Sequence, residues 1–170
     1  LAQQTGDEYS EVVALVNLST TYSFLEQYER EYELLEKALP LAKKNADLDQ
    51  IATVYHNMGD YFFKKSNYSS ALEKYLQSLT YVNQMGNKYH LAEISTVLAK
   101  TYHKLNRDDR ALEYILQAEK LAEEVGVRSK LKEIYHTRAE IEQNTGNYKL
   151  SSEFFLKSIM STRPPGEIPF

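Results

Sequence analysis

The feature that most constrains this chain of 170 residues is an internal period of forty residues that runs along it without an insertion. A small side chain recurs at this step, at Ser19, Gly59, Ala99 and Ala139. Three residues after each of these stand Tyr22, Phe62, Tyr102 and Glu142. Sixteen residues after each stand Leu35, Tyr75, Ile115 and Phe155. A fixed period of this length indicates a repeat protein, in which each unit is one supersecondary element that stacks on the next.

Each unit contains two amphipathic stretches. In the second unit, apolar side chains recur at steps of three and four residues from Ile51 to Phe62, give way to the polar segment 64–67, and resume from Ala71 to Leu79. Steps of three and four place these side chains on one face of a helix. The sequence therefore predicts eight helices, near residues 8–24, 28–44, 48–64, 68–84, 88–104, 108–124, 128–144 and 148–162.

Glycine is rare and stands where helices are expected to end. Gly86 and Gly126 lie forty residues apart, each after the second helix of its unit, and Gly146 lies between the two helices of the fourth unit. Glycine adopts a left-handed backbone without steric penalty, and helices commonly end on such a residue. We therefore predict left-handed caps at Gly86 and Gly126 and a turn at Gly146.

The order of small and aromatic side chains resembles the tetratricopeptide repeat, in which an aromatic residue, Leu-Gly, Tyr, Ala and Phe follow one another at fixed steps. The second unit matches through Tyr55, Met58, Gly59, Phe62, Ala71 and Tyr75. The third matches with conservative changes at Leu98, Ala99, Tyr102, Ala111 and Ile115. The first unit departs at Glu31, where a small residue is expected, and the fourth at Glu142, where an aromatic is expected.

The resemblance implies an all-α fold, an α-solenoid of four helix-turn-helix repeats in a right-handed superhelix with about eight antiparallel helices. The period exceeds the usual thirty-four residues and is similar to the long repeats of bacterial signalling proteins and some eukaryotic adaptors. HEAT and armadillo units have this length but lack the small and aromatic pattern. We expect a single array over residues 1–163, with repeats at about 8–47, 48–87, 88–127 and 128–163 and a Pro-rich tail at 164–170.

In this family the first helix of each repeat lines a concave surface that binds proteins or peptides. The resemblance thus implies a polar groove of mixed charge with one aromatic side chain. Its candidate partner-binding residues are Asn17, Thr53, His56, Asn57, Asp60, Phe63, Thr96, Lys100, His103, His136 and Glu140. Further positions of the same face hold Thr20, Glu93, Glu133 and Gln143. A solvated helix face that binds nothing in particular is the alternative interpretation.

Some members of the family hold a C-terminal carboxylate in a clamp of Lys, Asn and Arg. The matching positions here carry His56, Asp60, Thr96 and Lys100, so the clamp is not reproduced and recognition of chaperone tails is disfavoured.

Two pairs of histidine and acid, His56 with Asp60 and His136 with Glu140, are spaced four residues apart, and each pair shares one face of its helix. Two ligands alone make a poor metal site. We expect local helix pairing, with no metal and no cofactor.

No catalytic motif is recognisable. The chain has no cysteine, no Gly-rich phosphate loop, no HExxH and no nucleophile elbow. The carboxylates at Glu29, Glu31, Glu33 and Glu36 are expected to form a solvated helix face. Most of the 14 tyrosines are expected at core positions of the repeat, including Tyr55, Tyr68, Tyr75, Tyr102, Tyr135 and Tyr148. We expect a protein that is not an enzyme.

Charge and hydropathy exclude two further classes of partner. The formal net charge is −4, and no cluster of Lys and Arg offers the basic surface that nucleic acid requires. No apolar run approaches the roughly 18 residues of a membrane span. The absence of cysteine leaves the compartment open; we expect a soluble protein of the cytoplasm, with the periplasm as the alternative.

The last repeat of such an array exposes its stacking face unless something covers it. Phe154, Phe155, Ile159 and Met160 are expected to be partly uncovered. A longer natural chain, a second copy in a homodimer, or the apolar tail folded back are the alternatives for covering this face. The chain also begins at Leu1 rather than Met, so we expect a piece of a longer protein.

The expected function is that of a scaffold that binds a protein or peptide, as the sensory or regulatory segment of a larger signalling protein. The alternative is a peptide-receptor domain that controls an attached effector, such as a transcription regulator, a kinase or a phosphatase.

Overall fold

The structure is a computed structural model that describes residues 2–161, with side chains from Tyr9 onward, so the predicted tail at 164–170 lies outside the described residues. The described part contains eight helices and no strand, which confirms the all-α prediction. The helices are α1 (Ala2–Phe24), α2 (Tyr28–Lys44), α3 (Leu48–Lys64), α4 (Tyr68–Met85), α5 (Lys88–Lys104), α6 (Asp108–Val125), α7 (Arg128–Asn144) and α8 (Tyr148–Met160).

The predicted bounds agree with the observed ones to within two residues, except at the start of α1. That helix begins at Ala2 rather than near residue 8. The apolar pattern gives no signal before Tyr9, but once a helix has formed, each further residue adds a backbone hydrogen bond at little cost.

Successive helices are joined by short connections, and each connection contains one residue with a positive φ. These residues recur every twenty positions: Glu26 (57°), Ala46 (53°), Ser66 (58°), Gly86 (64°), Asn106 (55°), Gly126 (69°) and Gly146 (84°). The predictions for the three glycines are confirmed. Sequence reasoning missed the four others, because a left-handed backbone costs a residue with a side chain about 1–2 kcal/mol.

The helices pair as hairpins, α1 with α2, α3 with α4, α5 with α6 and α7 with α8. The hairpins group into two compact units that divide between Asn87 and Lys88. The predicted single array with its repeat bounds stays a prediction. In the first unit α2 packs on α3 and α1 lies beside α3. The second unit repeats this pattern, with α6 on α7 and α5 beside α7.

The core of the first unit is built from side chains of its first three helices. Its buried members are Val12, Leu35, Ala38, Ala42, Ile51, Val54, Tyr55 and Met58. Ala38 and Ala42 lie four residues apart and give one face of α2 two small side chains. This helix contacts both α1 and α3. Small side chains at such a face let neighbouring helices approach closely, as the repeat pattern predicts.

A close approach of α3 and α4 is centred on Gly59. A Cβ atom at this position would lie under 3.0 Å from three ring atoms of Tyr75, namely Cδ1, Cε1 and Cζ. The Tyr75 ring is fully buried, and its hydroxyl donates a hydrogen bond of 2.6 Å to Oδ1 of Asp60. Because the ring is fixed at both ends, only glycine leaves room for it.

In the second unit, one guanidinium joins three helices. Arg138 on α7 forms an ion pair with Glu119 on α6, and its guanidinium lies 3.9 Å from the ring centre of Phe154 on α8. Arg138 also lies 3.7 Å from the buried carboxylate of Glu142, which accepts a hydrogen bond of 2.8 Å from Asn147. Glu142 thus replaces the aromatic of the repeat pattern with a paired charge.

Three residues differ from their predicted environment. Glu31 is 3% exposed and does not belong to the solvated face that its neighbours Glu29 and Glu33 form, because the small-residue position it occupies faces the inside of the hairpin. Tyr148 is 69% exposed, although a core position was expected. Phe154 is buried rather than uncovered, because the guanidinium of Arg138 covers it.

Ile159 and Met160 are exposed, as expected for the end of an array. A homodimer through this face stays a prediction.

Replacement of Gly59 by Ala tests the close approach. Alanine is the better helix former by about 1 kcal/mol, but its Cβ would overpack against Tyr75, which typically costs about 1–3 kcal/mol. We expect Gly59→Ala to lower the melting temperature. In a Tyr75→Leu background the same change should raise it, because the obstructing ring is gone. If Gly59→Ala stabilised the otherwise unchanged chain in a calorimetric scan, the proposed clash would be refuted.

Replacement of Ala71 by Glu tests the repeat pattern itself. Ala71 is fully buried on α4, and a carboxylate there has no partner, so the expected loss of stability is at least about 3 kcal/mol. The matched control is Ser69→Glu, which adds the same charge at an exposed position of the same helix and should leave urea unfolding within about 0.5 kcal/mol of the unchanged chain. Equal midpoints for the two variants would show that the pattern was misassigned.

Candidate functional site

The residues predicted to line a groove on the first unit lie along one side of α1 and α3. Asn17 belongs to α1, and Thr53, His56, Asn57, Asp60 and Phe63 belong to α3. Positions 53, 56, 57, 60 and 63 on α3 follow helical spacing and share one face. We call this surface the α1–α3 face. It contains two cavities, at opposite ends.

The first cavity, which we call the Gln50 cavity, has a volume of about 180 Å³. Its lining residues are Tyr9, Val12, Val13, Val16, Asn17, Asp49, Gln50 and Thr53. Two of these, Asn17 and Thr53, were predicted from the sequence. One side of the cavity is apolar and comes from α1, and the other is polar and comes from the first turns of α3.

Gln50 is the unusual residue of this cavity. It is 7% exposed, and neither its amide oxygen nor its amide nitrogen has a hydrogen-bond partner among the described residues. Its backbone position is fixed, because its N–H donates a 3.1 Å hydrogen bond to the capping side chain of Asp47. A buried amide without partners costs about 1–3 kcal/mol. Gln50 thus lines the cavity with a covered amide whose donor and acceptor the fold itself does not use.

The second cavity, which we call the Glu31 cavity, has a volume of about 280 Å³. Its lining residues are Ser19, Thr20, Ser23, Phe24, Glu31, Asn57, Asp60 and Lys64. Asn57 and Asp60 were predicted from the sequence. The lining contains two carboxylates and one ammonium group, three hydroxyls, one amide and one aromatic ring, so its ionisable groups carry an excess of negative charge.

Glu31 reaches this cavity from α2. Burial raises the pKa of its carboxyl group, although the Ser23 hydroxyl and the Lys64 ammonium, 3.7 Å away, act in the opposite direction. One carboxylate oxygen, Oε2, is buried without a hydrogen-bond partner among residues 2–161. The charged form of Glu31 is therefore under-compensated in the fold as it stands.

Asp60 supplies the second carboxylate. Its Oδ1 accepts the hydrogen bond from Tyr75, and its Oδ2 lies 3.8 Å from Nε2 of His56. Burial raises the pKa of the Tyr75 hydroxyl, and the charge of Asp60 adds to the effect, so this hydroxyl remains a donor. The predicted local pairing of His56 with Asp60 is thus seen in the structure.

The corresponding surface of the second unit, along α5 and α7, is largely paired within itself. Lys100 on α5 forms an ion pair with Glu133 on α7, and a second pair across the same helices joins Lys130 to Glu93. These four charged groups are already paired with one another and are therefore less available to a ligand.

The remaining predicted residues of the second unit are also engaged. Thr96 is buried, with its hydroxyl hydrogen-bonded to the carbonyl of Ala92 at 2.8 Å. His103 lies 2.6 Å from Asp108 within its hairpin. His136 and Glu140 lie 3.7 Å apart, as the pairing of histidine and acid predicts.

No group of three or more side chains in the described part of the chain could hold a metal ion. Within residues 2–161, no helix combines the length and the apolar character needed to cross a bilayer.

Sequence reasoning missed Gln50, Glu31, Phe24 and Lys64 as residues of these cavities. Glu31 could have been identified from the sequence, because it is a charged residue at a position where the other repeats have a small side chain. Gln50 could not have been identified from the sequence, because its burial depends on how α1 lies beside α3.

Comparison with known families identifies tetratricopeptide repeats at residues 50–124, 12–45 and 132–163, which together cover more than half of the chain. Among curated proteins no match is found.

Several solved structures resemble the chain. A signal transduction ATPase with numerous domains (STAND protein) with a tetratricopeptide repeat sensor, from Pyrococcus horikoshii, is 20% identical, with a TM-score of 0.80 over 91% of this chain and 24% of that chain. The apo form of RapI is 18% identical, with a TM-score of 0.83 over 91% and 43% of the two chains. BtubC from P. vanneervenii is 13% identical, with a TM-score of 0.77 over 99% and 76%.

The chain thus spans about a quarter of the STAND protein and less than half of RapI. At these identities the likeness concerns the fold, and it agrees with the repeats found by sequence. The chain belongs to the tetratricopeptide repeat family.

Proposed function

We propose that the chain is a non-catalytic binding module that holds an extended peptide segment, free or part of a partner protein, along the α1–α3 face. The observation that carries this proposal is the buried and unpartnered amide of Gln50. A side-chain amide offers one acceptor and two donors, which complement the N–H and C=O groups of a peptide backbone.

The walls of the Gln50 cavity suit the rest of such a ligand. Val12, Val13 and Val16 form an apolar wall on α1, and Asn17 and Thr53 add polar groups beside Gln50. A peptide residue could bury an apolar side chain against the valines while its backbone bonds to the amide. Pockets of this kind, mostly apolar with a few placed polar groups, are typical of ligand sites.

The spacing of the two cavities fits a short extended segment. Gln50 and Asp60 are ten residues apart on α3, and a helix rises about 1.5 Å per residue, so they are separated by about 15 Å. An extended chain covers about 3.3 Å per residue. Four to five peptide residues would therefore reach from one cavity to the other.

The context proposed for this module is the sensory or regulatory segment of a larger signalling protein. The likeness to a STAND protein with a tetratricopeptide repeat sensor supports this role. The alternative, a peptide receptor that controls an attached effector, uses the same face and differs in what the bound peptide regulates.

The replacement Gln50→Leu tests the proposal against a random library of acetylated and amidated octapeptides. The library is captured on the immobilised chain, and the enriched peptides are measured by fluorescence anisotropy. We expect affinity to fall about fivefold to tenfold, because backbone hydrogen bonds are lost. Thermal stability should be unchanged or higher, because an unpaired buried amide has been removed.

The matched control is Gln77→Leu on α4, where another glutamine with an unpartnered amide oxygen lies outside both cavities. It should not change peptide affinity. If the library yields no enriched peptide, or if both variants weaken binding equally, the α1–α3 face is not the binding surface.

A further inference from the structure

We propose that the Glu31 cavity is a specificity pocket that receives the cationic side chain, Arg or Lys, of the bound peptide. This inference rests on the proposed peptide binding and goes beyond it, because it states which residue type the ligand must contain. The ligand's charged group would bind between Glu31 and Asp60, four to five residues along the peptide from the residue that pairs with Gln50.

The first support is the unpaired carboxylate oxygen of Glu31. Its carboxylate is almost entirely buried, yet Oε2 has no hydrogen-bond partner in the described part of the chain. Buried carboxylates are normally paired and hydrogen-bonded on both oxygens. A guanidinium or ammonium group entering the cavity would supply the missing donors once the Glu31 side chain turns its covered Oε2 toward the cavity.

The second support is the balance of charge. Lys64 lies near Glu31, but its ammonium group is hydrogen-bonded to Ser23 and is 3.7 Å from the nearer carboxylate oxygen. Against this one cation the lining places the carboxylates of both Glu31 and Asp60. With Glu31 ionised, one negative charge remains among these three groups, which matches one cationic side chain and disfavours an anionic one.

The third support is the aromatic at the rim. Phe24, the last residue of α1, lines the cavity and is 84% exposed. Cations are attracted to the face of an aromatic ring. Asn57 and Ser19 add further hydrogen-bonding groups inside the cavity. Carboxylates with an aromatic at the entrance form a receptor for an alkyl chain that ends in a positive charge.

Glu31 is also poorly explained as a stabilising residue. Since burial raises the pKa of its carboxyl group, the folded state disfavours the charged form relative to the unfolded chain. A neutral isostere should therefore fold more stably at pH 7. A side chain that lowers stability and lines a cavity is consistent with a role in binding.

The experiment uses the octapeptides enriched by the full chain. Each peptide that contains Arg or Lys is compared with a version that carries citrulline in place of Arg or norleucine in place of Lys, which removes the charge but keeps most of the shape. Affinities are measured by fluorescence anisotropy for the unchanged chain and for Glu31→Gln, Lys64→Gln and Glu33→Gln. Glu33 is the matched control, an exposed carboxylate two residues away on the same helix.

We expect the enriched peptides to share a basic residue at one position. Glu31→Gln should weaken their binding about tenfold to a hundredfold and should raise the melting temperature. The neutral peptides should bind the unchanged chain as weakly as they bind Glu31→Gln, since both changes remove the same interaction. Lys64→Gln should strengthen binding severalfold by removing the competing cation, and Glu33→Gln should change nothing.

Three results would overturn the inference while leaving peptide binding in place. The first is the enrichment of peptides without a basic residue. The second is an affinity that Glu31→Gln does not change; a lower melting temperature of that variant would then assign Glu31 to an internal ion pair with Lys64. The third is tighter binding of acidic peptides that Lys64→Gln abolishes, which would show that the pocket binds an anionic side chain. The absence of any enriched peptide would instead contradict the proposed function itself.

Discussion

The structure depends on the uniform connection between its helices. Each of the seven connections in the described part of the chain contains a single left-handed residue, and these residues stand twenty positions apart. Within each unit, a constant connection between helices of nearly constant length keeps equivalent positions of the two hairpins on equivalent faces. The cavities of the α1–α3 face follow from this regularity, because it brings polar positions of α1 and α3 to the same side of the first unit.

The two units use similar surfaces differently. Along α5 and α7, lysines and glutamates from the two helices neutralise one another across the gap. On the α1–α3 face, Gln50 and Glu31 line the two cavities, and the amide of Gln50 and one oxygen of Glu31 have no partner among the described residues. Unpaired buried polar groups destabilise a fold. Others occur elsewhere in both units, at Gln77 and Ser95 for example, but Gln50 and Glu31 also line cavities, which favours the α1–α3 face as the place where a ligand completes the hydrogen bonding.

Much of the fold could be predicted from the sequence, because it depends on local patterns. Helix bounds follow from the spacing of apolar side chains, and the caps at Gly86 and Gly126 follow from backbone sterics. The cavities could be predicted only in part. Asn57 and Asp60 share a helix face that the repeat pattern identifies, but Glu31 was assigned to a solvated acidic face, since its burial depends on contacts between helices rather than on its neighbours in sequence.

The environment of Arg138 has a consequence for how the second unit can diverge during evolution. An aromatic side chain at position 142 could pack in several orientations. The guanidinium of Arg138, in contrast, must contact Glu119, Glu142 and the face of Phe154 at the same time. Replacement of any one of these residues leaves a charge without its partner or exposes the ring of Phe154. Homologous chains should therefore retain or lose the four residues together, and their co-occurrence would mark a lineage of this repeat.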